Sequence, residues 1–160
     1  MKNVVFACAL AVVSLSSMAE APGHGHYDVK FVKDGHQIFT GDTSLNTPTP
    51  FLFRDGDEVG EVACTHSGGV TSLKSEQKFV GVAVQIARRL DDPRQADVEL
   101  EDSHLLSMDK SSDGSCASLT AKTDGLPKTK LSVRLPVDHE TVNVPVAGGH
   151  YILEITHRID

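Results

Sequence analysis

Lys78-Phe79-Val80-Gly81-Val82-Ala83-Val84-Gln85-Ile86-Ala87-Arg88-Arg89-Leu90 is the longest apolar segment beyond the N-terminal twenty residues, and its period decides the fold. Val80, Val82, Val84 and Ile86 fall on one face of an extended chain, with Gly81, Ala83, Gln85 and Ala87 on the other. β-Branched residues at alternate positions favour a long strand, because they pack well on a pleated surface and crowd a helix. A helix is the alternative, over Ala83 to Leu90 on length alone and at its widest over Ser75 to Leu90.

The same period runs outward from this segment. Asp91-Asp92-Pro93 makes a turn, after which Ala96, Val98 and Leu100 alternate with Asp97, Glu99 and Glu101 in a one-sided strand whose outer face is acidic and solvated. Upstream, Tyr27, Val29 and Phe31 alternate with Asp28 and Lys30, Asp34-Gly35 supplies a tight turn, and His36 to Thr40 returns as a second strand. Gly41 to Pro50, with Pro48 and Pro50, is a loop or irregular edge. Phe51 to Arg54 and Val59 to Thr65 flank Asp55-Gly56-Asp57 as a second hairpin. Downstream, Asp109 to Ser115 is a polar loop and Cys116 to Thr123 a short strand. Leu131, Val133 and Leu135 alternate before Pro136, and Val142 to Val146 with Tyr151 to Ile159 brackets the turn Ala147-Gly148-Gly149. Eight or more short strands without a long helix predict an all-β protein, an antiparallel β-sandwich or open barrel, as a single domain over residues 27–160.

Composition narrows the partners. The 160-residue chain carries 15 Lys+Arg against 22 Asp+Glu, a formal net charge of -7. That balance argues against nucleic acid, whose phosphates need a concentrated basic face. Met1-Lys2-Asn3, the apolar run Val4 to Leu15, and Ser16-Ser17-Met18-Ala19 have the charged, apolar, small-residue order of a secretory signal peptide over residues 1–19. The run is too short to span a bilayer, so no transmembrane segment is expected once the leader is removed. Glu20 to His26 then reads as a flexible arm. The expected location is periplasmic or secreted.

With Cys8 discarded in the leader, Cys64 and Cys116 remain, an even number in an oxidising compartment, and a disulfide is the expectation. A reactive thiol in Cys64-Thr65-His66 is the alternative. Eight histidines bring metal binding into view. His24 and His26 form His-Gly-His, His36 is expected beside the same strand pair, and close imidazoles can share copper or zinc. The competing reading makes His24 and His26 solvated tail residues and requires no cofactor. His66, His104, His139, His150 and His157 are scattered among turns and strand ends, each read singly as a surface or hydrogen-bonded histidine.

No nucleophile elbow, zinc-protease helix, phosphate loop or dinucleotide fingerprint occurs, so the expectation is a protein that is not an enzyme. Recognition by surface remains, with a sheet edge lent to an envelope or extracellular protein. The segment around Pro48 and Pro50 and the arm are where an open edge is expected.

Gly81-Val82-Ala83-Val84-Gln85-Ile86-Ala87-Arg88-Arg89-Leu90, followed by Asp97-Val98-Glu99-Leu100-Glu101, resembles the glycine-led strand and turn pair in the β-domain of bacterial secretins. Thr141-Val142-Asn143-Val144-Pro145-Val146-Ala147-Gly148-Gly149 is similar to a short strand and glycine turn later in that domain. The two segments cover less than a quarter of the chain. Secretins are several times longer and need a lipid-facing hairpin, whereas these strands carry Asp97, Glu99 and Glu101. The resemblance therefore implies a small relative or accessory of envelope machinery rather than a pore, and it transfers no functional residue.

The Cys64–Cys116 expectation is testable directly. Closing a loop of this length restricts the unfolded chain by at most about 4 kcal/mol. Thermal unfolding with and without reductant should show a sharply lower midpoint on reduction, and an unchanged midpoint would show the bridge to be absent or irrelevant.

Overall fold

The computed structural model describes residues 26–45, 49–112 and 116–158. The expected leader, the arm up to residue 25, Pro48 and Asp113-Gly114 lie outside the described residues. His26, expected in the arm, is the first residue of a strand.

The strands are His26–Lys33 (β1), His36–Thr43 (β2), Phe51–Ser67 (β3), Val70–Arg88 (β4), Gln95–Ser112 (β5), Ala117–Arg134 (β6), Thr141–Val146 (β7) and Tyr151–Arg158 (β8). Every ladder between them is antiparallel. The protein is all β, as its period of two implied. The alternative helix over Ser75 to Leu90 does not form, since residues 75–88 belong to β4. In a helix Val82, Val84 and Ile86 would point in different directions round the cylinder, whereas in a strand they share one face. Here Val84 and Ile86 are fully buried and Val82 packs against the same core.

One sheet has the order β2-β1-β8-β7. Its inner face, Tyr27, Val29 and Phe31 from β1 with Tyr151, Leu153 and Ile155 from β8, buries against Val84 and Ile86 of β4, Ala96, Val98 and Leu100 of β5, and Val133 of β6. Phe39 of β2 closes one side of this sandwich, with its ring 4.3 Å from that of Phe53 and 6.0 Å from that of Phe51.

The second sheet corrects the expectation of short strands. Its four members run for 17 to 19 residues each. Asp55-Gly56-Asp57 is not a turn but the middle of β3, and the reversal comes between Ser67 and Val70. The Asp109 to Ser112 part of the expected loop belongs to β5, and the expected short strand Cys116 to Thr123 supplies, from Ala117 on, the first third of β6. Gly56 is there for close approach. It pairs with Gly81, and a Cβ on Gly56 would lie 2.2 Å from the Val80 carbonyl oxygen, while one on Gly81 would lie 2.3 Å from that of Asp55.

These glycines belong to a transverse row, Gly56↔Gly81, Gly81↔Ser103 and Ser103↔Gly125, crossing all four strands. On the sandwich side of the row the two hairpin ribbons, β3–β4 and β5–β6, are joined through β4 and β5, from Gly81↔Ser103 to Arg88↔Ala96. Beyond the row that ladder stops and the ribbons are joined on their other side, β3 to β6, at Val62↔Leu119. The strand order thus changes from β3-β4-β5-β6 to β4-β3-β6-β5, and the sheet closes on itself. The region past the row, a fork of two ribbons, is held by the Cys64–Cys116 disulfide, with Cα atoms 5.6 Å apart. Side chains complete the seam. Cys64 N–H donates to Ser118 Oγ (2.9 Å), Ala121 N–H to the Glu61 carboxylate (2.7 Å), and Lys78 Nζ to the Ala121 carbonyl (3.1 Å).

Gly81, at φ +149°, and Gly60, which has open space where a Cβ would go, make a matched pair of tests. Gly81→Ala should lower unfolding free energy in urea by about 1–3 kcal/mol, the range for forcing a side chain into a rare backbone region. Gly60→Ala should be neutral or slightly stabilising. Equal effects at the two positions would remove the row from its proposed place in the fold.

Candidate functional site

Where the sandwich meets the fork, three strands end their inward faces on polar residues. β1 continues Tyr27, Val29 and Phe31 with Lys33; β5 continues Ala96, Val98 and Leu100 with Asp102; β8 begins with Tyr151. Asp102 is 1% exposed, and its Oδ2 accepts from Lys33 Nζ at 2.9 Å and from the Tyr151 hydroxyl at 2.9 Å. Lys33 Nζ also lies 5.4 Å from the centroid of the Tyr151 ring. His104, two residues further along β5, brings Nε2 to 3.2 Å from Asp102 Oδ1 and 3.3 Å from Lys33 Nζ.

The electrostatics follow from this packing. Burial alone would raise the Asp102 carboxyl, but the hydrogen bonds from Lys33 and Tyr151 and the charges of His104 and Lys33 leave it below the ordinary aspartate value. The Lys33 ammonium is held well above the usual lysine range, chiefly by its hydrogen bond to Asp102. Burial pushes the Tyr151 phenol up. The result is an ion pair joining the two layers of the sandwich, with its carboxylate dry and its ammonium partly wet.

An open cleft of about 410 Å³ lies over the pair, lined by Lys33, Asp34, His104, Asp124, His150 and Tyr151 among others. Asp34 and His150 face each other there, His150 Nδ1 to Asp34 Oδ1 at 3.0 Å. Two of the scattered histidines therefore meet acidic residues on one surface. Chemically the arrangement holds charge and can exchange protons. The Lys33 ammonium beside His104 Nε2 competes for the lone pair that a general base would use.

The second feature is the fork itself. Past the row, the outer edges of residues 70–80 on β4 and 104–112 on β5 are paired with no strand among the described residues. Val70 and Leu73 on the first are 68% and 69% exposed, and Leu105 and Leu106 on the second are also exposed.

Of the residues singled out from sequence, Cys64 and Cys116 are brought together as a disulfide. His26 and His36 are not brought together. His26 is opposite Arg158 at one end of β1, while His36 is opposite Lys33 at the other, a separation of about 23 Å at the rise of a strand. His24 lies outside the described residues. Among the described residues, β4 and β5 have unpaired outer edges past the row and β2 and β7 are the edge strands of the other sheet, while Pro48 of the expected Pro48/Pro50 edge lies outside the described residues. Lys33, Asp102 and Tyr151 were missed, although the period gave a signal: each continues or begins an apolar face with a polar residue. No protein-family model, no curated protein and no solved structure matches the chain.

A group whose pKa is lowered by folding adds stability above its ordinary value and loses it as pH falls through the folded one; for a raised group the loss comes as pH rises. Asp102 therefore supports the fold above about pH 4 and Lys33 supports it below about pH 10. Lys33→Met should cost about 3 kcal/mol at pH 7, the lower end for breaking a buried pair, since the ammonium is partly wet. The deficit should narrow as pH falls through the carboxylate range. Lys30→Met, removing an exposed partner of Glu154, should leave the urea midpoint unchanged.

Proposed function

We propose that this is an exported, non-enzymatic binding protein of the bacterial cell envelope, periplasmic or secreted, that engages a partner protein along the fork. The observation carrying this reading is a coincidence of backbone and side chains. Of the seven exposed large hydrophobic residues among the described residues, Val70, Leu73, Leu105 and Leu106 lie on two stretches of the fork whose outer edges have no ladder partner among the described residues. An open edge offers main-chain hydrogen bonds to an extended segment, and apolar side chains beside it give that segment something to bury. Lys74 and Glu76 on the same edge pair with each other, which weakens the charge guard that keeps edges apart.

Export is supported by the order of the first 19 residues and by the disulfide, since such bonds persist in oxidising compartments. No helix among the described residues is long and apolar enough to cross a membrane. The resemblance of two segments to the secretin β-domain favours an envelope partner. A binding role suits a cleft whose lysine is tied to Asp102 beside one of its histidines.

Photo-reactive residues placed singly at Leu73, Leu106 and Lys30 in the native host provide the test. Envelope proteins should be captured from the first two positions and not from Lys30, which lies on the outer face of the other sheet. Capture from Lys30 alone, or none from Leu73 and Leu106 in exported protein, would sink the reading.

A further inference from the structure

His104 is the first residue of β5 beyond the row, and its Nε2 stands between two groups with opposite demands. Lys33 Nζ, 3.3 Å away, can only donate; Asp102 Oδ1, 3.2 Å away, can as a carboxylate oxygen only accept. One ring nitrogen cannot serve both. With its lone pair exposed it accepts from Lys33, and with a proton it donates to Asp102. Asp102 Oδ1 is a buried oxygen without a hydrogen bond among the described residues, because Lys33 and Tyr151 both donate to Oδ2. A buried acceptor left in this state is costly. A donor at Nε2 relieves it.

We infer that His104 is a proton-operated latch between the two sheets. Neutral, the imidazole accepts from Lys33 and ties the end of β1 to β5. Protonated, it turns its hydrogen bond to Asp102 Oδ1, and the Lys33 ammonium, now facing a second cation, moves away from the ring while keeping its bond to Oδ2. The proton comes from solvent, since His104 is 55% exposed. Four other titratable groups line the cleft around the ring. Asp34, in the β1–β2 turn, is engaged by His150, which precedes β8; Asp124 is the ladder partner of His104 on β6; and the Tyr151 hydroxyl is committed to Asp102. None of these substitutes for Lys33 or Asp102 at Nε2. Because Lys33 ends β1 and Asp102 and His104 flank Ser103 of the row, the two settings determine how firmly the sandwich grips the base of the fork.

Nitrogen NMR of the imidazoles and lysine ammonium groups, from about pH 8 to pH 5 where imidazole changes charge, tests the latch. The Lys33 resonances should move over the same interval in which His104 Nε2 gains its proton. They should become flat in His104→Gln, a substitution at an exposed position that spares the core, and should persist in His150→Gln. Lys33 resonances that stay still while His104 titrates in the wild-type protein would overturn the proposal. So would an undiminished movement in His104→Gln, or its disappearance in His150→Gln.

Discussion

The structure depends on how closely two twisted ribbons can approach where their partnership changes hands. At the row Gly56, Gly81, Ser103 and Gly125 the backbones pass with no room for a Cβ at any of the three glycines, the facing carbonyl oxygens lying 2.1 to 2.3 Å from where one would sit. Without that approach β4 and β5 could not be neighbours on one side of the row while β3 and β6 are neighbours on the other. Strand twist drives long ribbons to coil about each other, and residues lacking side chains set where they cross. Ser103 is the one member of the row with a side chain. Its hydroxyl is 3.3 Å from the Phe79 carbonyl and 3.2 Å from Glu101, so it is satisfied within the crossing.

On either side of that crossing the two halves are held by different physics. The sandwich is held by apolar burial, two inner faces of β-branched, leucine and aromatic residues meeting in one core. Among the described residues the fork has no such core, and it is held across its seam by a disulfide, the Val62–Leu119 backbone bridge and the side-chain hydrogen bonds of Ser118, Glu61 and Lys78. The Lys33–Asp102–Tyr151 cluster stands at the boundary, where apolar packing ends and solvent begins. Placing an ion pair there keeps the carboxylate dry enough to be strongly held and the ammonium wet enough to limit its desolvation.

The sandwich was legible because its signal is local. Ala96, Val98 and Leu100 alternate cleanly, and Asp34-Gly35, with φ of 48° and 81°, makes the tight hairpin its composition implies. The fork was less legible because Asp55-Gly56-Asp57 has the composition of a turn, and only its partner on β4 reveals that the glycine serves an approach between strands. His36 misled for a related reason. It is near His26 in sequence, but a hairpin read forward from its turn puts the first residue of β2 beside the last of β1. Asp102 could have been found by extending the apolar face of β5 by one more step, though its partners come from strands far away in sequence and no local pattern names them.

The sheet β2-β1-β8-β7 is assembled from the two extremities of the described chain, with His26 lying opposite Arg158 and everything from β3 to β6 inserted between. Until the last strand has been delivered, β1 lacks its neighbour on that side and the core lacks Tyr151, Leu153 and Ile155. Pairings this distant along the chain form slowly. The polypeptide therefore stays threadable while it is being made, and this domain commits to its shape only once β8 has arrived.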